Sequence, residues 1–193
     1  MLNFNKQVIM NNKVCGPATD FTLVKEEGTR TVISYDLQEE AGKELATWRE
    51  IYFPKKQVAK PTLQQVKDAI IADIDKQTDE TILCGFVWNE KPVYLSSENQ
   101  FNFKAAYDLA VQTDGANLPV TFKLGELADG TPVYHTFEEM AEAQDFYVRA
   151  VTFINQTLAA GWQRKDSIDW APYEQALNPQ SANDTKGGKK SKK

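Results

Sequence analysis

Thr81 to Gly125 reads TILCGFVWNEKPVYLSSENQFNFKAAYDLAVQTDGANLPVTFKLG, and Pro132 to Trp170 reads PVYHTFEEMAEAQDFYVRAVTFINQTLAAGWQRKDSIDW. Thr81–Trp88 and Pro92–Leu95 are rich in β-forming side chains, and Asn89-Glu90-Lys91 between them suits a tight connection. Ser97-Glu98-Asn99-Gln100 has the hydroxyl-to-amide spacing of a capping box, which opens a helix running to about Gln112. Phe101, Ala105 and Leu109, flanked by Tyr107 and Val111, are expected to form its apolar side. Pro119–Leu124 and Val133–Tyr134 predict a second strand pair around the Ala128-Asp129-Gly130 turn. Thr136-Phe137-Glu138-Glu139 then predicts the cap of the longest helix. Its apolar face is Met140, Phe146, Tyr147, Ala150, Val151, Ile154 and Leu158, and Gly161 is expected in a left-handed C-cap. Short strands mixed with helices, without strict alternation, define an α+β class.

Upstream, Phe21–Val24 and Thr31–Tyr35 predict a hairpin bent at Gly28, and Thr47–Phe53 a third strand ended by Pro54. Val8–Met10 suits one short strand. Thr62-Leu63-Gln64-Gln65 is another capping box, followed by Leu63, Val66, Ile70 and Ile74 at helical spacing, with an end near Gln77-Thr78. A short turn over Pro172–Leu177 is expected to close the fold. The expected organisation is a β-rich attachment module over 1–54, a linker over 55–61, an α+β domain over 62–177, and a disordered lysine-rich tail over 178–193.

Composition narrows the function classes. Hydrophobic residues make up 41% and charged residues 25%, the balance of a folded chain with an ordinary core. The longest apolar runs are far short of a membrane span, so no membrane insertion is expected. MLNFNKQVIMNNK holds no apolar h-region, so no secretory signal is expected either. The formal net charge is −5, and the five tail lysines (Lys186, Lys189, Lys190, Lys192, Lys193) hide a body of −10. An acidic body repels nucleic acid. Only the tail could attract a polyanion, weakly and without specificity, since no aromatic residues interleave it. The tail also fits a solubilising end or a contact with an acidic body.

No arrangement that could do chemistry stands out, and the expectation is that the protein is not an enzyme and uses no cofactor or metal. His135 is the only histidine, and neither a nucleophile nor an orienting carboxylate is marked beside it. Cys15 and Cys84 do not make a disulfide framework, and both are expected as buried thiols, with Cys84 inert on an apolar strand. The glycines form no phosphate loop. Glu138, Glu139 and Glu142 suit a helix N-terminus.

The aromatic residues remain. Trp48, Glu50 and Tyr52 alternate on one side of the Thr47–Phe53 run, with Arg49, Ile51 and Phe53 on the other. Core packing is one reading of these side chains. A docking patch is the other, because Trp and Tyr carry much of the binding energy at interfaces. The small sheet offers few elements to cover that side, so Trp48, Tyr52 and Phe53 are the expected protein interface.

Trp88–Ser97, Asn102, Phe103, Pro119–Gly125 and Trp162–Asp169, taken together in order and spacing, resemble a domain of unknown function that recurs in tail, tail-fibre and other virion-associated proteins of bacteriophages and prophages. The resemblance covers the C-terminal half to two-thirds of the chain. It implies a protein made in the bacterial host cytoplasm and carried in the virion, bound to other virion proteins or to itself. The competing expectation is a small intracellular binding or regulatory protein of phage or host with an acidic surface.

Overall fold

A computed structural model describes residues 12–179. The short strand expected over Val8–Met10 and the lysine tail lie outside the described residues. The fold is α+β, an antiparallel sheet followed by helices interspersed with short strands. The described residues divide into two compact units, 12–73 with 167–179 and 74–166. That division falls inside a helix and not in the linker expected over 55–61.

The first unit is built on four antiparallel strands, β1 (Asn12–Gly16), β2 (Val24–Glu26), β3 (Arg30–Gln38) and β4 (Ala46–Pro54), in the order β1-β4-β3-β2. The predicted hairpin and third strand are both present. Register pairs Ile33 with Ile51 and Tyr35 with Arg49. Consecutive β3 residues Thr31 to Tyr35 are all buried, so this strand is covered on both faces. That corrects the expectation of a sheet with one side bare.

Helix α1 (Leu63–Cys84) begins in this unit and buries Val66, Ala69 and Ile70. Its capping box forms as predicted: the Gln65 N–H donates to Thr62 Oγ1 at 3.2 Å and the Thr62 N–H to Gln65 Oε1 at 2.9 Å. The short helix α4 (Ala171–Leu177) adds buried Tyr173 and Leu177, and the Tyr173 hydroxyl donates to the Ser34 carbonyl at 3.0 Å. Burial pushes that phenol up to about 12.

In the second unit α1 continues to Cys84, well past its expected end, and absorbs a stretch that reads as strand. The threonines are reconciled with the helix by returning hydrogen bonds, Thr78 to the Ile74 carbonyl and Thr81 to the Gln77 carbonyl. Strand β5 is therefore only Phe86–Trp88, paired with β6 (Lys91–Val93). Asn89 and Glu90 both take positive φ, 47° and 62°, the geometry of a type I′ hairpin turn. Helix α2 (Ser97–Gln112) is capped by Ser96, one residue earlier than expected, whose Oγ accepts the Asn99 N–H at 3.2 Å.

Strands β7 (Val120–Glu126) and β8 (Pro132–Phe137) form the second hairpin. The expected cap residue Thr136 instead lies in β8, facing Thr121 at 2.8 Å. The two hairpins meet where the Tyr94 N–H donates to the Leu124 carbonyl at 2.7 Å. Gly125 permits that approach, since a Cβ there would lie 2.6 Å from the Pro92 oxygen.

Helix α3 (Met140–Asp166) does not stop at Gly161. Gly161 sits inside it, against α1, where a Cβ would stand 2.5 Å from Thr78 Oγ1. The core joins Trp88, Leu95, Phe103, Leu124, Phe137, Phe146 and Ala150. Phe146 is its hub, with rings of Trp88, Phe103 and Phe137 between 5.0 and 5.2 Å away.

Candidate functional site

The β4 residues expected to dock a partner are largely inside the first unit. Trp48 is 4% exposed and Phe53 2%, while Tyr52 is half-buried. Trp48, Glu50 and Tyr52 do share one side: Glu50 accepts from the Trp48 indole at 3.0 Å and from the Tyr52 hydroxyl at 2.9 Å. Phe21 meets the indole edge-on at 6.1 Å, and the Arg30 guanidinium lies 4.1 Å over the Tyr52 ring. The lead-in to β2 thus covers a side that strand alternation alone leaves open. Trp48 and Phe53 offer no surface in this fold, which corrects the docking reading for both.

The opposite side of the same sheet holds a buried ionic group. Asp73, 1% exposed, accepts from the Tyr35 hydroxyl and from Arg49 Nε at 2.8 Å. Burial, reinforced by the Asp73 carboxylate, drives the Tyr35 phenol well above its ordinary value. The helical spacing of Leu63, Val66, Ile70 and Ile74 leaves Asp73 off the apolar side of α1. Only the β3–β4 register brings Tyr35 and Arg49 together beneath it. With both partners donating into one carboxylate, the group fits a structural clamp.

His135 lies between two charges. Lys91 Nζ is 2.8 Å from its Nδ1, and Glu142 Oε1 is 2.8 Å from its Nε2. An ammonium can only donate, so neutral His135 carries its proton on Nε2 and gives that hydrogen bond to Glu142. The ring packs edgewise on Trp88 at 5.0 Å, and the Trp88 indole donates to Asp145 at 2.9 Å. That indole hydrogen bond, helped by Arg149, holds the Asp145 carboxyl below its ordinary range. The sequence marked no carboxylate for His135, yet Glu142 supplies one from the first turn of α3. Among the described residues, the hydroxyl or thiol that nucleophilic catalysis would add is not a hydrogen-bond partner of His135.

Both cysteines are exposed, Cys15 on β1 and Cys84 at the end of α1, against the expectation of buried thiols. Cys84 turns outward because the helix replaces the predicted strand. No cluster of three metal-ligating side chains occurs among the described residues. No helix among them is long and apolar enough to cross a membrane.

The clearest surface feature is on α2. Its buried residues are Phe103 and Ala110, whereas the expected core stripe points outward. Phe101 is 70% and Leu109 48% exposed, and Ala105 between them is exposed as well. Beside Phe101 a cleft of about 220 Å³ opens between α2 and α3, floored by Leu95, Ala150, Val151 and Ile154. The stripe carries Glu98 and Gln112 at its ends and the ion pair Lys104–Asp108 along one flank. An apolar centre with a polar border is the composition of a protein-contact surface.

The model of a domain of unknown function, DUF4376, matches residues 65–184, and the chain belongs to that family. The match takes in nearly all of α1 and the whole of the second unit, including the α2 stripe and the His135 group. No curated protein and no solved structure matches the chain.

Proposed function

We propose that the protein is a non-enzymatic structural or accessory component of a bacteriophage virion, tail- or capsid-associated, acting through protein–protein contacts. The observation that carries the contact reading is the outward-facing Phe101–Ala105–Leu109 stripe. Solvating a phenyl ring and a leucine about two turns apart costs free energy that covering them by a partner would recover, at about 25 cal/mol per Å² of apolar surface. The virion context is supported by the resemblance of Trp88–Ser97, Pro119–Gly125 and Trp162–Asp169 to a domain that recurs in tail and tail-fibre proteins. The His135 group adds no reaction to this reading, because its hydrogen bonds join it to Lys91 and Glu142 within the fold.

Quantitative mass spectrometry of purified particles tests the proposal. A structural component is expected at stoichiometric copy number beside the other virion proteins. Its presence in the infected cell and absence from particles would refute it. That outcome would favour the small intracellular binding or regulatory protein instead.

A further inference from the structure

We propose that the α2 stripe pairs with the same stripe of a second copy of this chain, the two helices lying antiparallel about a two-fold axis near Ala105. This deepens the contact reading above by naming the partner, and it stands or falls separately from the virion context.

The stripe is self-complementary in a way that a one-sided docking surface need not be. Phe101 and Leu109 stand four residues to either side of Ala105, one helical turn each way. A closed two-fold contact requires that residue i meet residue j while j meets i. Antiparallel pairing through Ala105 satisfies this: each Phe101 falls on the second copy's Leu109, and the two alanines meet at the centre. Alanine there lets the helix axes come within roughly 8–10 Å. A larger side chain in the middle would hold them apart.

The charges follow the same symmetry. Lys104 and Asp108 lie on one flank of the stripe, and a two-fold axis perpendicular to the helices sets that flank against its own copy. With the direction reversed, each Lys104 comes within a side-chain length of the second copy's Asp108. The side chains of this pair are 57% and 42% exposed in the single chain, where an i,i+4 pair adds little. Between copies the same two residues make two bridges bordering the apolar centre. The cleft of about 220 Å³ beside Phe101, floored by Val151 and Ile154, gives the phenyl ring and its opposing leucine room to settle between α2 and α3.

The test uses the full chain. Light scattering coupled to size exclusion should give twice the 21.8 kDa chain mass, with dissociation on dilution. Ala105→Arg should raise the dimer dissociation constant by about a hundredfold or more, since it places like charges on the axis. Lys104→Asp should weaken pairing, and Lys104→Asp with Asp108→Lys in one chain should restore it. Circular dichroism keeps loss of pairing distinct from loss of fold. Independently, Cys15→Ser/Cys84→Ser/Ala105→Cys should oxidise to a disulfide-linked dimer, whereas a cysteine at Asp129 in the same background should not.

A monomer at high concentration, a dimer indifferent to Ala105→Arg, or equal crosslinking from Ala105→Cys and Asp129→Cys would each overturn the proposal. A monomer that captures a different virion protein through Phe101 would also overturn it while leaving the contact reading intact. A dimer that behaves as expected but is absent from particles would instead remove only the virion context.

Discussion

Asp73 ties α1 to β3 and β4 within the first unit, and its network makes a quantitative prediction. Asp73 accepts from both Tyr35 and Arg49, with its own side chain 1% exposed and that of Arg49 22% exposed. Asp73→Ala removes the carboxylate that pairs with Arg49 and accepts from the Tyr35 hydroxyl. Breaking a buried pair from one side costs about 3–5 kcal/mol, and the partial solvation of Arg49 places this case near about 3 kcal/mol. Tyr35→Phe keeps the ion pair and loses one hydrogen bond to a charged group, for about 1.5–3 kcal/mol. Once Asp73 is alanine, that hydroxyl has lost its charged acceptor, and removing it should cost under about 0.5 kcal/mol more. The two changes should therefore be coupled by about 1–3 kcal/mol. Native-state hydrogen exchange of the β3 and β4 amides reads this unit locally, which global melting of a two-unit chain would blur. Additive costs, or an Asp73→Ala effect under about 1 kcal/mol, would refute the clamp.

Gly125→Ala should destabilise the second unit by about 1–3 kcal/mol by thermal melting, because the new methyl meets backbone rather than a movable side chain; an unchanged melting temperature would contradict the close approach. Both Cys15 and Cys84 should react with a chromogenic disulfide reagent in the native state, giving two thiols before and after denaturant. Stability should fall as pH rises from the ordinary tyrosine value of 10.0 to about 12. The folded state holds the Tyr173 proton more tightly than the unfolded chain does, so the contribution is complete below the lower value and lost through the upper one. Tyr173→Phe should make that part of the urea-midpoint profile shallower, leaving the share of Tyr35, whose phenol is also raised.

The α+β class, the β2–β3–β4 meander, the α1 cap and the helix at the end of the described chain were all legible in the sequence. Alternation, turn residues and hydroxyl–amide spacing are local signals, and locally satisfied backbone keeps them true. The remainder turned on tertiary choice. The stretch Thr78 to Cys84 is rich in β-branched side chains, yet it stays helical because its threonines return hydrogen bonds to their own helix and Ile82 is buried. Helix α2 carries two stripes at helical spacing, Phe101–Ala105–Leu109 and Phe103–Tyr107–Ala110. Periodicity ranks neither above the other. The second is chosen because Phe103 meets Phe122 and Phe146 at right angles, 5.1 and 5.0 Å away. The interface reading of Trp48 and Phe53 failed for a related reason, since β-alternation says which side chains share a side and nothing of what the neighbouring chain lays over it. The partners of His135 are separated from it by 44 and 7 positions, and only the β5–β6 hairpin and the start of α3 bring them to one ring.

Gly161 leaves a hollow in α3 that the Thr78 side chain of α1 fills. The two positions therefore share one fixed volume, and each sets the size the other can take. Among members of the family, a chain with alanine or serine at the place of Gly161 should carry alanine or glycine at the place of Thr78, so that bulk is transferred between helices rather than added. Isolated exchange at either place should be rare, and paired exchange across the 82 intervening positions should recur. The hollow would then register in an alignment as two columns that change together.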